Sequence, residues 1–180
     1  MAERCALRHG PVGPSGARLR SVTAASDRQV DRELRVEATI AAPPERVWGL
    51  VSDVSQMPDW SPELLRMLPL KPGGMRRGQW YVGINRRKGV VWPTRNVVAV
   101  LEPPRSLAWD TTSSGARWVW ELSPAGEGTH VVHRRPVPRR LTLVSRLFAP
   151  VFLGGSAEHA DELEAGMART VERLKAVAES

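Results

Sequence analysis

Hydrophobic and polar residues alternate in short runs through most of the chain after residue 33. The first run, over 34–40, puts every second residue on an apolar face and predicts a β-strand. Pro43 and Pro44 end this run and suit a first helical turn, where a missing N–H does no harm. The apolar residues of 47–51 then follow helical spacing, and Asp53 is a candidate N-cap for a second short helix. The pattern therefore predicts one strand followed at once by two short helices.

Six further strands are predicted between this region and residue 136. Turn residues separate the apolar runs at regular intervals, which is typical of an antiparallel meander. The hairpin turn predicted at 86–89 is one example, and Pro93 implies an edge position or a bulge within its strand. The predicted strands span 64–68, 78–85, 90–101, 106–112, 117–122 and 129–135.

The last part of the chain, from Arg140 onward, has a helical pattern. Its apolar positions recur at steps of three and four and include Leu163, Met167 and Leu174. Residues 141–153 are apolar all round and precede the pair Gly154-Gly155. We interpret 141–153 as the first turns of a long helix packed on the sheet. The alternative is a mobile lid, or a surface that contacts a membrane.

Residues 1–33 combine Gly, Pro and Arg without any apolar periodicity, which predicts a disordered tail. A single folded domain is expected over 34–178. At 180 residues the chain is long enough for one domain with a full hydrophobic core and too short for two domains that each have one.

Two segments resemble a known superfamily. One is VEATIAAPPERVWGLVSDVSQMPDWSPE at 36–63, and the other is GMARTVERLK at 166–175. Together they are similar to the polyketide cyclase/dehydrase-type members of the START-like, or helix-grip, superfamily. The resemblance implies an α+β, Bet v 1-like fold, in which a seven-stranded antiparallel sheet wraps around a long C-terminal helix. It also implies an apolar cavity between them, but it leaves the activity open, because cyclases, hormone receptors and lipid carriers share this fold.

Aromatic composition adds to this expectation of a cavity. Seven Trp stand against two Phe and one Tyr, and large flat side chains suit the walls of a roomy apolar pocket. Part of this Trp content is expected to fill the core instead. The candidate ligand-binding residues are Trp80, Tyr81, Asn85, Trp109, Trp118, Trp120, Leu163 and Met167.

Two histidines are the candidate catalytic residues. His133 shares a strand face with Thr129 and Val131, and an imidazole beside a cavity could act as a general base. His159 lies one helical turn before Leu163, at the expected mouth. The alternative for both is a hydrogen-bonded or solvated side chain. In cyclases that the chain resembles, pocket Arg, Tyr, Trp and His side chains orient a poly-β-keto chain, whereas this chain has a single Tyr. Whether it is an enzyme therefore stays open.

Cofactor and metal motifs are absent from the sequence. It has no phosphate-binding loop, no glycine-rich dinucleotide motif and no nucleophile elbow. Cys5 is the only cysteine, and no two histidines have the i, i+4 spacing of a metal site. We expect neither a cofactor nor a metal.

The charge of the chain is basic, with a formal net charge of +7. Only three of the 26 basic residues are Lys, and this excess of Arg is typical of a GC-rich genome. The Arg clusters fall at predicted turns and strand ends, so we expect solvated charge and no specific nucleic-acid partner. The alternative is a basic rim that holds the carboxylate or phosphate head of a ligand.

No segment approaches the roughly 18 apolar residues of a membrane span, and the N-terminus lacks the apolar core of a signal peptide. A cytoplasmic monomer or homodimer is expected. The predicted function is binding of a hydrophobic or amphipathic small molecule, such as a lipid, fatty acyl or polyketide-like compound. The alternatives are a cyclase or dehydratase that uses a cavity His, and a basic binder of membrane or nucleic-acid surfaces.

Overall fold

The structure is a computed structural model that describes residues 33–136 and 156–180, with side chains in the second range from residue 161 onward. The predicted tail over 1–33, apart from Glu33, lies outside the described residues, as do both interpretations of 141–153. The domain boundaries therefore stay predictions. The described elements are β1 Leu34–Ile40, α1 Pro44–Ser52, α2 Met57–Trp60, β2 Leu64–Pro69, β3 Trp80–Arg87, β4 Val90–Glu102, β5 Ser106–Thr111, β6 Ala116–Ala125, β7 Gly128–Arg135 and α3 Ser156–Glu179.

The strands form one seven-stranded antiparallel sheet in the order β1-β7-β6-β5-β4-β3-β2. Consecutive strands from β2 to β7 are neighbours, as a meander requires, and β1 closes the sheet against β7. The predicted α+β architecture, with two short helices after β1 and a long C-terminal helix, is confirmed. None of the helices described in 33–136 and 156–180 is long and apolar enough to cross a membrane.

The two prolines start α1 as predicted. Pro43 is extended, with φ −64° and ψ 152°, and its carbonyl oxygen accepts hydrogen bonds from the backbone N–H groups of Arg46 and Val47. The N-cap predicted at Asp53 is wrong, because α2 begins later and its N-cap is Gln56. The Asp53 carboxylate instead accepts hydrogen bonds from Ser55 and Gln56 and stabilises the turn between the helices.

Turn chemistry fixes the β3–β4 hairpin. Lys88 and Gly89 both have positive φ, 47° and 84°, as a two-residue type I′ turn requires. The turn is therefore shorter than the predicted 86–89. Pro93 pairs with Ile84 in a part of β4 that extends beyond β5, so its missing N–H costs no ladder bond there. The register shift of β4 lies between Val98 and Val100 instead.

Helix α3 packs against the concave face of the sheet, mainly along β1. Its buried residues are Met167, Thr170, Val171, Leu174 and Ala178. Polar bonds hold its C-terminal end. Lys175 Nζ donates to the Thr39 carbonyl at 2.6 Å, and the Ala41 N–H donates to the Glu179 carboxylate at 2.6 Å. The helix is therefore anchored where β1 ends.

Candidate functional site

The register of β1, β7 and β6 brings alternate side chains to the concave face. Leu34 on β1 lies opposite Arg135, and Trp120 on β6 lies opposite His133. Because side chains two residues apart share a face, Trp118 joins this set. The pairing of Trp109 with Trp118 extends the face to β5.

Three rings and one guanidinium stack on this face. The His133 ring lies 3.8 Å from the Trp120 ring, at an interplanar angle of 12°, and 5.9 Å from the Trp118 ring, at 20°. The Arg135 guanidinium carbon lies 5.6 Å from the Trp118 ring centroid, which is cation–π geometry. We call Trp118, Trp120, His133 and Arg135 the concave stack.

Helix α3 supplies an aliphatic wall beside this stack. Met167 is buried against Leu34, and the half-buried side chains of Trp118 and Leu163 pack on the same cluster. The structure therefore brings together three of the predicted ligand-binding residues, Trp118, Leu163 and Met167. Trp120 instead belongs to the main core, where its ring meets Trp60 edge to face at 5.6 Å.

Burial determines the chemistry of His133. Its Nδ1 lies 3.1 Å from the Val119 carbonyl oxygen, which can only accept, so Nδ1 carries the proton and Nε2 is an acceptor. Burial lowers the pKa of His133 to about 4, and the hydrogen bond to Val119 only partly opposes this. The ring is therefore neutral near pH 7 and has little basicity. Catalysis by His133 stays a prediction, and the side chain of His159 lies outside the described residues.

Arg134 and Arg135 are adjacent but have opposite surroundings. Arg134 forms ion pairs with Glu121 at 2.6 Å and with Glu33 at 3.1 Å, and the hydrogen bond to Glu121 is the main reason that its pKa is raised. Arg135 has no ion pair among the described residues, whereas the Nε atoms of both arginines are buried without a hydrogen-bond partner there. Burial lowers the pKa of Arg135. The sequence marked both residues only as members of one basic cluster.

A polar network lies further along the same face, on β3 to β5. Asn85 Nδ2 and Asn96 Nδ2 each donate to Thr94 Oγ1 at 3.1 Å, and Thr111 Oγ1 donates to Asn96 Oδ1 at 2.8 Å. A Cβ at Gly83 would lie 2.8 Å from Thr94 Oγ1, so only glycine leaves room for this network. Sequence reasoning found Asn85 but missed Thr94 and Thr111. The alternation counted from Asn85 across the hairpin is the signal that identifies Thr94, whereas Thr111 follows only from the pairing of β4 with β5.

Tyr81 on β3 and Trp109 on β5 lie on the same face as the network. Both are buried, and their rings meet edge to face at 6.3 Å. Burial raises the pKa of Tyr81, so its hydroxyl keeps its proton at physiological pH. These two predicted residues are thus placed on the concave face.

Trp80 is the predicted ligand-binding residue that the structure does not bring to this face. It lies next to Tyr81 in β3, and successive strand residues point to opposite faces. Its side chain is 41% exposed on the outer surface. Assigning both Trp80 and Tyr81 to one pocket was therefore wrong.

A second concave feature lies between α2 and β2. It is a surface groove of about 190 Å³, and none of the predicted site residues lines it. Its lining residues are Val54, Ser55, Pro58, Arg66, Met67 and Leu68. Within the described ranges, no three His, Cys, Asp or Glu side chains are grouped closely enough to hold a metal ion.

Comparison with solved structures supports the fold. KanY protein, solved in solution, is 20% identical with a TM-score of 0.62, over 83% of this chain and 99% of that one. The Polyketide_cyc-like protein Cgl2372 from Corynebacterium glutamicum is 27% identical with a TM-score of 0.54, over 81% and 91%.

A longer protein is also similar. The di-domain ARO/CYC BexL of the BE-7585A biosynthetic pathway is 18% identical with a TM-score of 0.64, over 84% of this chain. The match spans about half of that protein, 51%. No curated protein sequence matches the chain. The model of one family, described as polyketide cyclase / dehydrase and lipid transport, matches residues 31–179. Since this match covers most of the chain, the protein belongs to the polyketide cyclase/dehydrase and lipid transport family.

Proposed function

We propose that the protein binds a hydrophobic or amphipathic small molecule between the concave face of the sheet and helix α3. The observation that carries the proposal is the half-buried indole of Trp118, which packs beside Leu163 and Met167 and continues into the concave stack. A flat aromatic wall opposite flexible aliphatic side chains suits a chain-like or planar guest.

Family membership supports a ligand-binding or cyclase role. The family description joins cyclases, dehydrases and lipid transport, so it covers both chemistry and carriage of apolar molecules. Binding is the part that these activities share. Each Å² of apolar ligand surface removed from water contributes about 25 cal/mol before ordering costs.

The neutral state of His133 favours binding over cyclisation by general base catalysis. An efficient general base has a pKa near the working pH, whereas burial lowers the pKa of His133 to about 4. Its Nε2 is suited to accept a hydrogen bond from a hydroxyl of the guest. We therefore assign His133 to orienting the ligand.

A neutral fluorescent probe, N-phenyl-1-naphthylamine, tests the proposal. We expect stoichiometric binding with quenching of Trp emission. Met167→Trp should block binding while lowering the free energy of unfolding by less than about 1 kcal/mol, because open space accepts volume that a packed core rejects. Ala176→Trp, which places the same ring on the exposed side of α3, is the matched control and should bind normally.

Two Trp→Phe variants identify the Trp residue whose fluorescence the bound probe quenches. Trp118→Phe should remove most of the quenching, and Trp80→Phe on the outer surface should leave it unchanged. Absence of probe binding to the wild type, together with a large loss of stability in Met167→Trp, would mean that the interior is solid and that the proposed function is wrong.

A further inference from the structure

We propose that Arg135 binds the carboxylate head of the ligand, whose apolar part lies against Trp118 and Met167. This inference rests on the proposed function and names the chemical class of its ligand: a molecule with one carboxylate at the end of an apolar body.

The contrast with Arg134 is the first argument. Arg134 is neutralised by Glu121 and Glu33, whereas Arg135 has no ion pair among the described residues. Taking a charge out of water without a partner is costly, so such a group usually has a partner in one of the states of the protein. Arg135 is half-buried and lies beside the predicted apolar site.

The geometry of the guanidinium is the second argument. One face of the guanidinium lies over the Trp118 ring at 5.6 Å and its Nε is buried, which leaves the two terminal Nη groups to bind a ligand. A planar guanidinium presents these donors in a fork that matches the two oxygens of a carboxylate. The same stacking holds the side chain in place before binding, so less rotamer entropy is lost when the ligand arrives.

Local charge favours a carboxylate over a phosphate monoester. A dianionic phosphate needs more than one cation. His133, which lies on the other side of Trp118 from Arg135 in the concave stack, is neutral at physiological pH. Arg87 shares the concave face by its strand alternation, but it is already paired with Glu63 and Glu162. Among the described residues of this face, a single guanidinium without an ion pair therefore matches a single negative charge.

Three competitors of equal chain length test this inference: dodecanoate, dodecanol and dodecyl phosphate. Each displaces bound N-phenyl-1-naphthylamine at pH 7.5. We expect dodecanoate to bind the wild type about tenfold or more tightly than dodecanol, the range of a charge-assisted hydrogen bond. Arg135→Gln should abolish this preference and leave the affinity for dodecanol unchanged. Arg135→Lys, which keeps the charge but loses the fork, should retain only part of the preference.

Arg86→Gln is the matched control. It removes the same charge from an exposed position in the β3–β4 hairpin and should keep the full preference for dodecanoate. The melting temperature without ligand gives an independent readout. Because Arg135 lacks an ion-pair partner among the described residues, Arg135→Gln should leave the melting temperature unchanged or raise it, whereas a structural arginine would lower it.

The outcomes separate this inference from the proposed function. Equal affinity of the wild type for dodecanoate and dodecanol, with normal probe binding, would overturn the role of Arg135 and leave the proposed function intact. Tighter binding of dodecyl phosphate than of dodecanoate would overturn the assignment of a carboxylate. Failure of the wild type to bind the probe would overturn both proposals.

Discussion

At the scale of single residues, His133 couples protonation to stability. Its pKa is lowered from 6.5 to about 4 in the folded protein, mainly because burial disfavours the charged ring. The unfolded chain therefore binds a proton between pH 6.5 and about 4 that the folded protein does not bind. The contribution of the neutral ring to the free energy of unfolding is fully present above pH 6.5 and decreases as the pH falls towards 4. The total loss is about 3 kcal/mol.

Replacing the titrating ring should remove this pH dependence. His133→Phe preserves a flat ring between Trp118 and Trp120 and cannot take up a proton. We expect its free energy of unfolding to change less than that of the wild type between pH 6.5 and 4, as measured by urea denaturation at several pH values. Trp80→Phe, an aromatic replacement on the outer surface that removes no titratable group, is the control and should retain the wild-type slope. Identical slopes in the wild type and His133→Phe would contradict the assigned burial.

At the scale of elements, close backbone packing determines where β7 can begin. Gly128 starts β7 opposite the end of β1, and a Cβ at this position would lie 2.4 Å from the Ile40 carbonyl oxygen. That atom belongs to the main chain, which cannot move without disturbing the sheet. Thr129 Oγ1 also donates to the Ala42 carbonyl at 2.7 Å, so this contact joins the strand to the segment that leads into α1.

Two alanine substitutions should therefore have opposite effects. Gly128→Ala should lower the free energy of unfolding by about 1–3 kcal/mol through overpacking. Gly49→Ala, in helix α1 with nothing within 4 Å of the new Cβ, should raise it by about 0.5–1 kcal/mol, because glycine is a poor helix residue. Chemical denaturation measures both changes. A neutral Gly128→Ala would show that β1 and β7 are not packed this closely.

At the scale of the whole molecule, part of the basic charge is paired with carboxylates at separate places on the surface. Arg35 pairs with Glu37, Arg117 with Asp110 and Arg134 with Glu121. The net charge of +7 still attracts polyanions, but ion pairs at separate places on the sheet do not form a surface that reads nucleic-acid sequence.

We therefore expect weak binding to duplex DNA that is lost as salt rises. Binding driven by counterion release falls steeply with salt concentration, so affinity should vanish between about 50 and 200 mM NaCl. Fluorescence anisotropy with two unrelated duplexes measures both the salt dependence and the selectivity. Tight binding to one duplex at physiological salt would argue for a nucleic-acid function instead of a small-molecule site.

The sequence by itself determined the elements and their order. Strict alternation, turn residues and two prolines are local signals, so they located the seven strands, the two short helices and the buried face of α3. The same alternation separated Trp118 and Trp120 from Val119, and it placed His133 on one strand face with Thr129 and Val131. The signal failed at Asp53, where a side-chain turn competes with helix capping.

Only the tertiary structure decided which faces meet and what their electrostatics are. Alternation separates Trp80 from Tyr81 but does not say which of them points inward, because that depends on the pairing of β3 with β4 and on the side that α3 covers. The low pKa of His133 and the different partners of Arg134 and Arg135 also arise from long-range packing. Burial and charge pairing are properties of the assembled sheet, so no local pattern in the sequence encodes them.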